Sequence, residues 1–198
     1  MKKILILGSS SFSGASLVDY LLKKNFTVFG TYNKKKPNIY LSYIKNKKIN
    51  NFKMLKINLL KNKDVLHLIK FIKKEKPSII IDFASICMVN ESWRFPKLYF
   101  EINVLSKIHI LNEIKKLNFL KKYIYISTPE IFGSKKKKIS ESNVSFNPST
   151  PYAISKLSCE LYIKNLIKSS GFNAIIARFS NFYGPGQPYY RLIPKIIL

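Results

Sequence analysis

Lys3-Ile-Leu-Ile-Leu-Gly-Ser-Ser-Ser-Phe-Ser-Gly14 is the stretch whose reading decides the fold. Lys3 to Leu7 is a short apolar run with a turn cluster behind it, the pattern of a strand buried on both faces. From Ser13 to Lys24, Leu17, Val18, Leu21 and Leu22 recur at helical spacing, and Asn25 lies just past the end as a cap. Between strand and helix, Gly8 and Gly14 take the first and last positions of a G-x-x-G-x-x-G spacing, with Ser11 at the middle one. Such a turn is tight at Gly8, brings helix close to strand at Gly14, and points the first-turn amides at a pyrophosphate. With one glycine replaced, a βα turn without a ligand competes as a reading. The position directly after the first strand favours a dinucleotide.

Working outward, Thr27 to Tyr32 is β-branched and aromatic, Met54 to Leu59 alternates, and Ile79 to Phe83 is a continuous apolar run after Lys76-Pro77. Val65, Leu66, Ile69 and Ile72 mark a helix before that last strand. Ile102, Leu105, Ile108, Leu111 and Ile114 mark another, ahead of a strand at Lys122 to Ser127. A helix from about Pro151 to Ser170 and a strand from Asn173 to Phe179 follow. Strands alternating with helices require right-handed parallel crossovers, so the expected class is α/β, a doubly wound parallel sheet of Rossmann type. Asn33 to Lys53 and the four lysines Lys135 to Lys138 interrupt the pattern and are expected as exposed loops.

Composition narrows the class. A chain of 198 residues with 46% hydrophobic content is long enough for one full-sized domain, with room for the start of another. Two cysteines, Cys87 and Cys159, make no disulfide framework, and a reducing cytoplasm is the expected setting. Met-Lys-Lys and the few apolar residues before Ser9 lack the core and cleavage site of a signal peptide, and no run is long enough to span a bilayer. The formal charge of +25 invites a nucleic-acid reading. Only three of the 35 basic residues are arginines (Arg94, Arg178, Arg191), and the lysines spread along the whole chain, so no nucleic-acid partner is expected.

Tyr152 and Lys156, in Pro151-Tyr-Ala-Ile-Ser-Lys156, stand four apart at the start of a helix and so share a face. An ammonium near a phenol stabilises phenolate, which makes Tyr152 usable as a base. An ordinary surface Tyr/Lys pair is the plainer reading. Ser127 and Thr128 end the preceding strand, at the edge where open α/β sheets bind ligands. His67 and His109 sit in helical patterns without partners at ligand spacing, so no metal site is expected. Cys159 is expected to face the core. Trp93 either lines the site or packs a helix start.

Taken together, these segments resemble the extended short-chain dehydrogenase/reductases, the nucleotide-sugar epimerase/dehydratase family. The resemblance runs from Lys3 to the end. It rests on the Gly8 to Gly14 turn, Asp82-Phe-Ala-Ser85, Ser92 with Pro96 and Asn103, Ser127-Thr-Pro-Glu-Ile-Phe-Gly133, Tyr152 with Lys156, and Arg178-Phe-Ser-Asn-Phe-Tyr-Gly-Pro-Gly-Gln187. It implies that Tyr152 takes a proton from a sugar hydroxyl, that Thr128 hydrogen-bonds the same oxygen, and that Lys156 binds the nicotinamide ribose. The cofactor would accept the hydride. The implied cofactor site takes Gly8, Ser11, Phe12, Ser13 and Gly14 from the first turn, then Asn33, Asn58 and Leu59 beyond the next two strands. It adds Phe83, Ala84, Ser85, Asn103 and Phe179 to Tyr152 and Lys156. The substrate side takes Ser127, Thr128, Asn181, Gln187 and Arg191.

Glu130 discriminates among the chemistries of this family. Dehydratases similar to this chain carry a glutamate there that removes the proton beside the transient ketone, whereas plain 4-epimerases usually have a small residue. A 4,6-dehydratase-type reaction is therefore implied, although decarboxylases keep the glutamate too and a solvent-facing Glu at a strand end is the bland alternative. Pro129 stands where one dehydratase subgroup has an aspartate, so the chain resembles the glutamate-only type, as in GDP-mannose dehydratases. Thr31-Tyr-Asn33 offers no acid for a ribose 2′-hydroxyl and Lys34 to Lys36 suit a 2′-phosphate, which leaves NADP open beside the NAD most relatives use. Asn58 stands where the family commonly has an Asp on the adenine. Residues 1–180 are expected to form the NAD(P)-binding domain and 181–198 the start of a substrate-binding domain whose remainder is missing. Relatives often pair through the helix holding Tyr152, which makes a homodimer a hypothesis that a monomeric light-scattering mass would remove. The alternative function is a non-catalytic or inactive truncated dinucleotide-binding protein.

Overall fold

The computed structural model describes residues 2–34, 38–134, 140, 145–181 and 183–197. Six strands, β1 (Lys3–Leu7), β2 (Thr27–Tyr32), β3 (Phe52–Lys56), β4 (Ile79–Asp82), β5 (Lys122–Ser127) and β6 (Ala174–Arg178), form one sheet. All pairings are parallel, in the order β3-β2-β1-β4-β5-β6. The order reverses at β1, between β2 on one side and β4 on the other, and a ligand crevice opens at such a switch point beyond the strands' carboxyl ends. The doubly wound reading therefore holds.

The helices between the strands bury both faces, which is why the central strands read as unbroken apolar runs. Leu5, Leu7, Phe29, Ile80, Tyr123 and Tyr125 pack under α2 (Asn62–Glu75), α5 (Ser106–Ile114) and α6 (Pro151–Ser170). Ile4, Ile6 and Val28 face the other way, against Ala15, Val18, Leu21 and Leu22 of α1 (Phe12–Lys23). The alternation along β1 assigns one layer to each set, and full burial of a Leu or Ile is worth about 1.5–3 kcal/mol. α1 ends as its sequence suggested. Asn25 takes φ 62° and donates to the Leu22 carbonyl at 3.0 Å, while the Phe26 amide reaches Leu21 at 3.1 Å. That paired bonding is the Schellman ending.

Three expectations need correction. The edge strand runs from Phe52 to Lys56 and stops before Leu59, because the Asn58 side chain accepts from the Leu60 amide and the chain turns into α2. Asn33 to Lys53 is not simply an exposed loop. Leu41 and Tyr43, at the start of the short 3-10 turn Ser42–Lys45, are buried over α1 in the segment between β2 and β3. The helix expected from Ile102 begins earlier: α4 (Pro96–Phe100) continues into α5 through a wide π turn at Glu101–Leu105. Ahead of it lies the short α3 (Val89–Arg94), and α7 (Leu192–Ile197) ends the described chain. The run Lys135 to Lys138, with Lys35, Lys36 and Phe182, lies outside the described residues.

Candidate active site

Every strand of the sheet ends near a residue singled out from the sequence, so the candidate positions gather along one edge. The β1 turn is built for close approach. Gly8 has φ 79°, and a Cβ on it would meet the Ala84 backbone nitrogen at 2.9 Å. A Cβ on Gly14 would meet the Gly8 carbonyl oxygen at 2.4 Å. Ser11, in place of the middle glycine, turns its hydroxyl inward, donating to the Gly8 carbonyl at 2.8 Å and accepting from the Gly14 amide at 3.1 Å. It is the N-cap of α1, so the substitution adds a cap to the turn and leaves its path intact. Thr31 at the end of β2 accepts from the Gly8 amide at 3.0 Å and ties the turn to the next strand. Beside it, Phe12, Ser13, Phe83 and Phe179 line a mostly apolar cavity of about 590 Å³ with Tyr183 and Pro185.

Asn33 is exposed just beyond β2, with Lys34 next to it. Leu59 packs on the core at the end of the β3 connection. Ala84 and Ser85 follow β4, and Asn103 reaches that loop from the π turn. Its side-chain oxygen accepts from the Ile86 amide and its nitrogen donates to the Ile86 carbonyl, each at 3.1 Å, and also to Ser155 on α6 at 3.1 Å. Asn103 thus acts on the crevice through the loop it clamps. The wide turn is what aims it there, as such turns often serve functional positions.

On the other side of the switch point, Thr150 caps α6 by accepting from the Ala153 amide at 3.1 Å, with Pro151 at the first helical position. That start sets Tyr152 and Lys156 toward the end of β5. Tyr152 is 7% exposed, is hydrogen-bonded to Thr128 and stacks edge-on to Tyr99 at 6.3 Å. Burial pushes its phenol well above the usual value; the Cys87 thiol and the Glu130 carboxylate add to this, and the Thr128 bond opposes it. The lowering expected from Lys156 is not what the site holds. The Lys156 ammonium donates to the Ile126 carbonyl at 2.6 Å and lies 4.3 Å over the Tyr125 ring. Its own pKa falls to about 8, chiefly through burial. Glu130 is exposed just beyond β5, and partial desolvation raises its carboxyl.

Ser127 departs from its expected place on the substrate side. Its hydroxyl is buried and donates to Glu160 at 3.0 Å. Glu160 is fully buried on α6, one turn beyond Lys156, and holds Arg178 at the end of β6 in two bonds. Burial alone would raise this carboxyl, but Arg178, Ser127 and Lys164 together hold it below its usual value. Sequence reasoning missed the pair, although Lys156 and Glu160 share the four-residue spacing that linked Tyr152 to Lys156. It also missed Cys87, which meets the Arg191 guanidinium at 3.8 Å and thereby brings the segment beyond β6 over the cleft. Asn181 is exposed on that segment, and the Gln187 amide closes a turn on Gly184 at 3.2 Å. Cys159 is buried in the core as expected, while Trp93 is 62% exposed. Among the described residues no cluster of His, Cys, Asp or Glu could hold a metal, and no helix is long and apolar enough to cross a membrane.

Comparison with known proteins accords with this geometry. Residues 4–198 match the model of the NAD dependent epimerase/dehydratase family. A dTDP-D-glucose 4,6-dehydratase of Dictyostelium discoideum is 33% identical over 216 residues, covering 100% of this chain and 48% of its own length. Among solved structures, a UDP-N-acetylglucosamine 4-epimerase from Methanobrevibacter ruminantium superposes with a TM-score of 0.84 at 26% identity, over 99% of this chain and 61% of that one. A UDP-glucuronic acid 4-epimerase from Bacillus cereus, solved with UDP-glucuronic acid and NAD, gives 0.81 at 26% identity, over 98% and 62%. The chain spans about half the length of the dehydratase it matches. With that match across nearly its whole length, the chain belongs to the NAD dependent epimerase/dehydratase family.

Proposed function

We propose that the chain carries the dinucleotide-binding and catalytic part of an NAD-dependent enzyme acting on a nucleotide sugar, with 4,6-dehydratase-type chemistry. The observation that carries the reading is the convergence of Thr128, Glu130 and Tyr152 at the end of β5, with Lys156 buried behind them. Neither a passive dinucleotide binder nor an electrostatic nucleic-acid binder needs that set.

The residues of the β1 turn fit a dinucleotide. Gly8 and Gly14 leave no room for a side chain where the backbone must come close, and the first-turn amides of α1 favour a pyrophosphate. Asn33 would face the adenosine ribose, and Phe83 to Ser85 and Phe179 would line the remainder. Bound there, a nicotinamide supplies the hydride acceptor.

Tyr152 takes the proton from the hexose 4-hydroxyl, and Thr128, already bonded to the phenol, holds the same oxygen. Because burial disfavours the phenolate, the base form needs the Lys156 ammonium to leave the Ile126 carbonyl and turn toward the phenol. Glu130 then removes the C5 proton beside the ketone as the C6 hydroxyl, taking a proton, departs as water, and the hydride would return to C6 of the product; desolvation raises the Glu130 carboxyl above its usual value, which favours its taking up a proton. Asn181, Gln187 and Arg191 would meet the substrate from the segment beyond β6. Lys34 keeps NADP in the test panel. The experiment is product analysis with NAD and UDP-, GDP- and dTDP-hexoses, comparing the wild-type protein with Glu130→Gln. Elimination of water should fall at least a hundredfold in the variant while C4 oxidation persists. Full product formation by Glu130→Gln would sink the dehydratase assignment and favour the epimerase chemistry named in the structural neighbours.

A further inference from the structure

The turn that carries Glu130 is anchored by groups that no step above uses. It runs from Thr128, its N-cap, through the 3-10 segment Pro129–Phe132 to Gly133. Glu130 is exposed, whereas Ile131 and Phe132 behind it are buried. The Gly133 amide donates to the Glu130 carbonyl at 3.1 Å, and the Asn147 amide donates to the Ile131 carbonyl at 3.0 Å. The Phe132 ring stacks on Phe146 with centroids 6.0 Å apart, and the Arg178 guanidinium carbon lies 5.4 Å from the Phe132 ring centre.

Glu160 fixes that guanidinium in turn. Arg178 meets its two carboxylate oxygens with two different nitrogens, Nε at 3.1 Å, and such a fork sets the plane of the group as well as its place. The same carboxylate accepts from the Ser127 hydroxyl at 3.0 Å, and Ser127 precedes Thr128. One buried carboxylate therefore reaches the start of the turn through Ser127 and its end through Arg178 and Phe132. A buried ion pair is costly to desolvate, and apolar side chains often serve packing as well. What the fork adds is direction. Thr128 lies one residue from an anchored side chain and Glu130 two, and a displacement of about 1 Å at a reacting group can cost a hundredfold in rate.

We propose that Glu160 and Arg178 are positioning residues: through Ser127 they fix Thr128 and through Phe132 they fix Glu130, so one buried ion pair sets the oxidising and the eliminating groups relative to each other. The kinetic part of this rests on the dehydratase reading above. The anchoring of the turn does not.

The test uses three variants of the full chain: Phe132→Leu, which removes the ring and keeps an apolar side chain, Phe132→Tyr, which keeps the ring, and Glu160→Gln, which keeps the shape and removes the charge. Amide hydrogen exchange at Gly133 and Asn147, set against Leu5 in the central sheet, reads the anchoring without a ligand. Product analysis with NAD and UDP-, GDP- and dTDP-hexoses reads C4 oxidation and water elimination separately. In Phe132→Leu the two turn amides should exchange about tenfold faster while Leu5 stays unchanged. Elimination should slow by about tenfold or more in that variant, with oxidation and KM within about twofold of the wild type. Phe132→Tyr should match the wild type in both readouts, and Glu160→Gln should loosen the turn and slow both steps at unchanged KM. Should Glu160→Gln fail to fold, the contrast between the two Phe132 variants decides the matter. The proposal is overturned by turn amides as protected in Phe132→Leu as in the wild type, by equal behaviour of the two Phe132 variants, or by both steps slowing alike in Phe132→Leu with a raised KM. Faster exchange in Phe132→Leu, restored in Phe132→Tyr, in a protein whose wild type forms no dehydrated product supports the anchoring and sinks the dehydratase reading instead.

Discussion

The two sides of the crevice are built by different means. Around β1 the site is backbone: a glycine at φ 79°, another within 2.4 Å of a carbonyl oxygen where a Cβ would sit, and a serine that caps the helix from within the turn. Around β5 it is side chain: a buried phenol bonded to Thr128, a buried ammonium on a carbonyl, and a buried glutamate gripping Arg178. The first side is the more local, since the Ser11 side chain bonds residues three positions away in each direction, with Thr31 tying the turn to the next strand. The second joins residues that are 18 to 33 positions apart. A local turn can lose one of its glycines and keep its course, whereas the buried charges of the second side depend on partners delivered from several elements.

The sharpest way to break this contrast is at Tyr152. Tyr152→Phe should lower oxidation of a nucleotide sugar by roughly 10²- to 10⁴-fold while leaving NADH affinity within a few-fold, read by single-turnover absorbance and fluorescence titration. Comparable loss of both would mean that the two sides are not separable.

Next in size is Glu160→Ala, which leaves Arg178 and Ser127 facing an emptied site. Removing one partner of a buried pair costs about 3–5 kcal/mol, measured as a shift in urea midpoint. The sign of the accompanying pH effect follows from the depressed carboxyl. Its stabilisation is fully present above the unfolded value of about 4.3 and is lost as pH falls through the lower folded value. The wild-type protein should therefore lose more stability than Glu160→Ala on acidification below about pH 4.

Gly14→Ala probes the backbone side. Its Cβ meets a carbonyl oxygen with no flexible side chain to yield, so helix and strand must part at a cost of about 1–3 kcal/mol, with NADH affinity falling more than thermal stability. Ser11→Ala should be milder, about 1 kcal/mol from the lost cap. Ser11→Gly should cost a few tenths and leave NADH affinity within about threefold. A large gain in affinity from Ser11→Gly would show that the serine obstructs the turn, contrary to the inward bonds it makes.

Much of the architecture was legible because its causes are local or periodic. The apolar runs at β1 and β4, the helical spacing of Leu17 to Leu22 and Pro151 at the start of α6 each mark their own boundaries. The edge strand was misplaced because β3 alternates weakly on a sheet margin, and its limits come from pairing with β2 and from the turn at Asn58. At the site, the Tyr152 and Lys156 spacing was visible, but the direction of the Lys156 side chain was not. A four-residue spacing states which helix face two groups share. It does not state whether a carbonyl of β5 lies closer to the ammonium than the phenol does.

The sequence by itself determined the succession of strands and helices, the glycine turn and the residue types proposed to react, because hydrophobic period, turn chemistry and residue type are properties of short stretches. Only the tertiary structure decided which charges are buried together. Asp82 meets Lys107 across 25 residues, Ser127 meets Glu160 across 33, and Asn103 reaches Ser155 across 52. Those pairings arise from the packing of α5 and α6 on the sheet, and desolvation, which sets the protonation of Tyr152 and Lys156, exists only once that packing is complete.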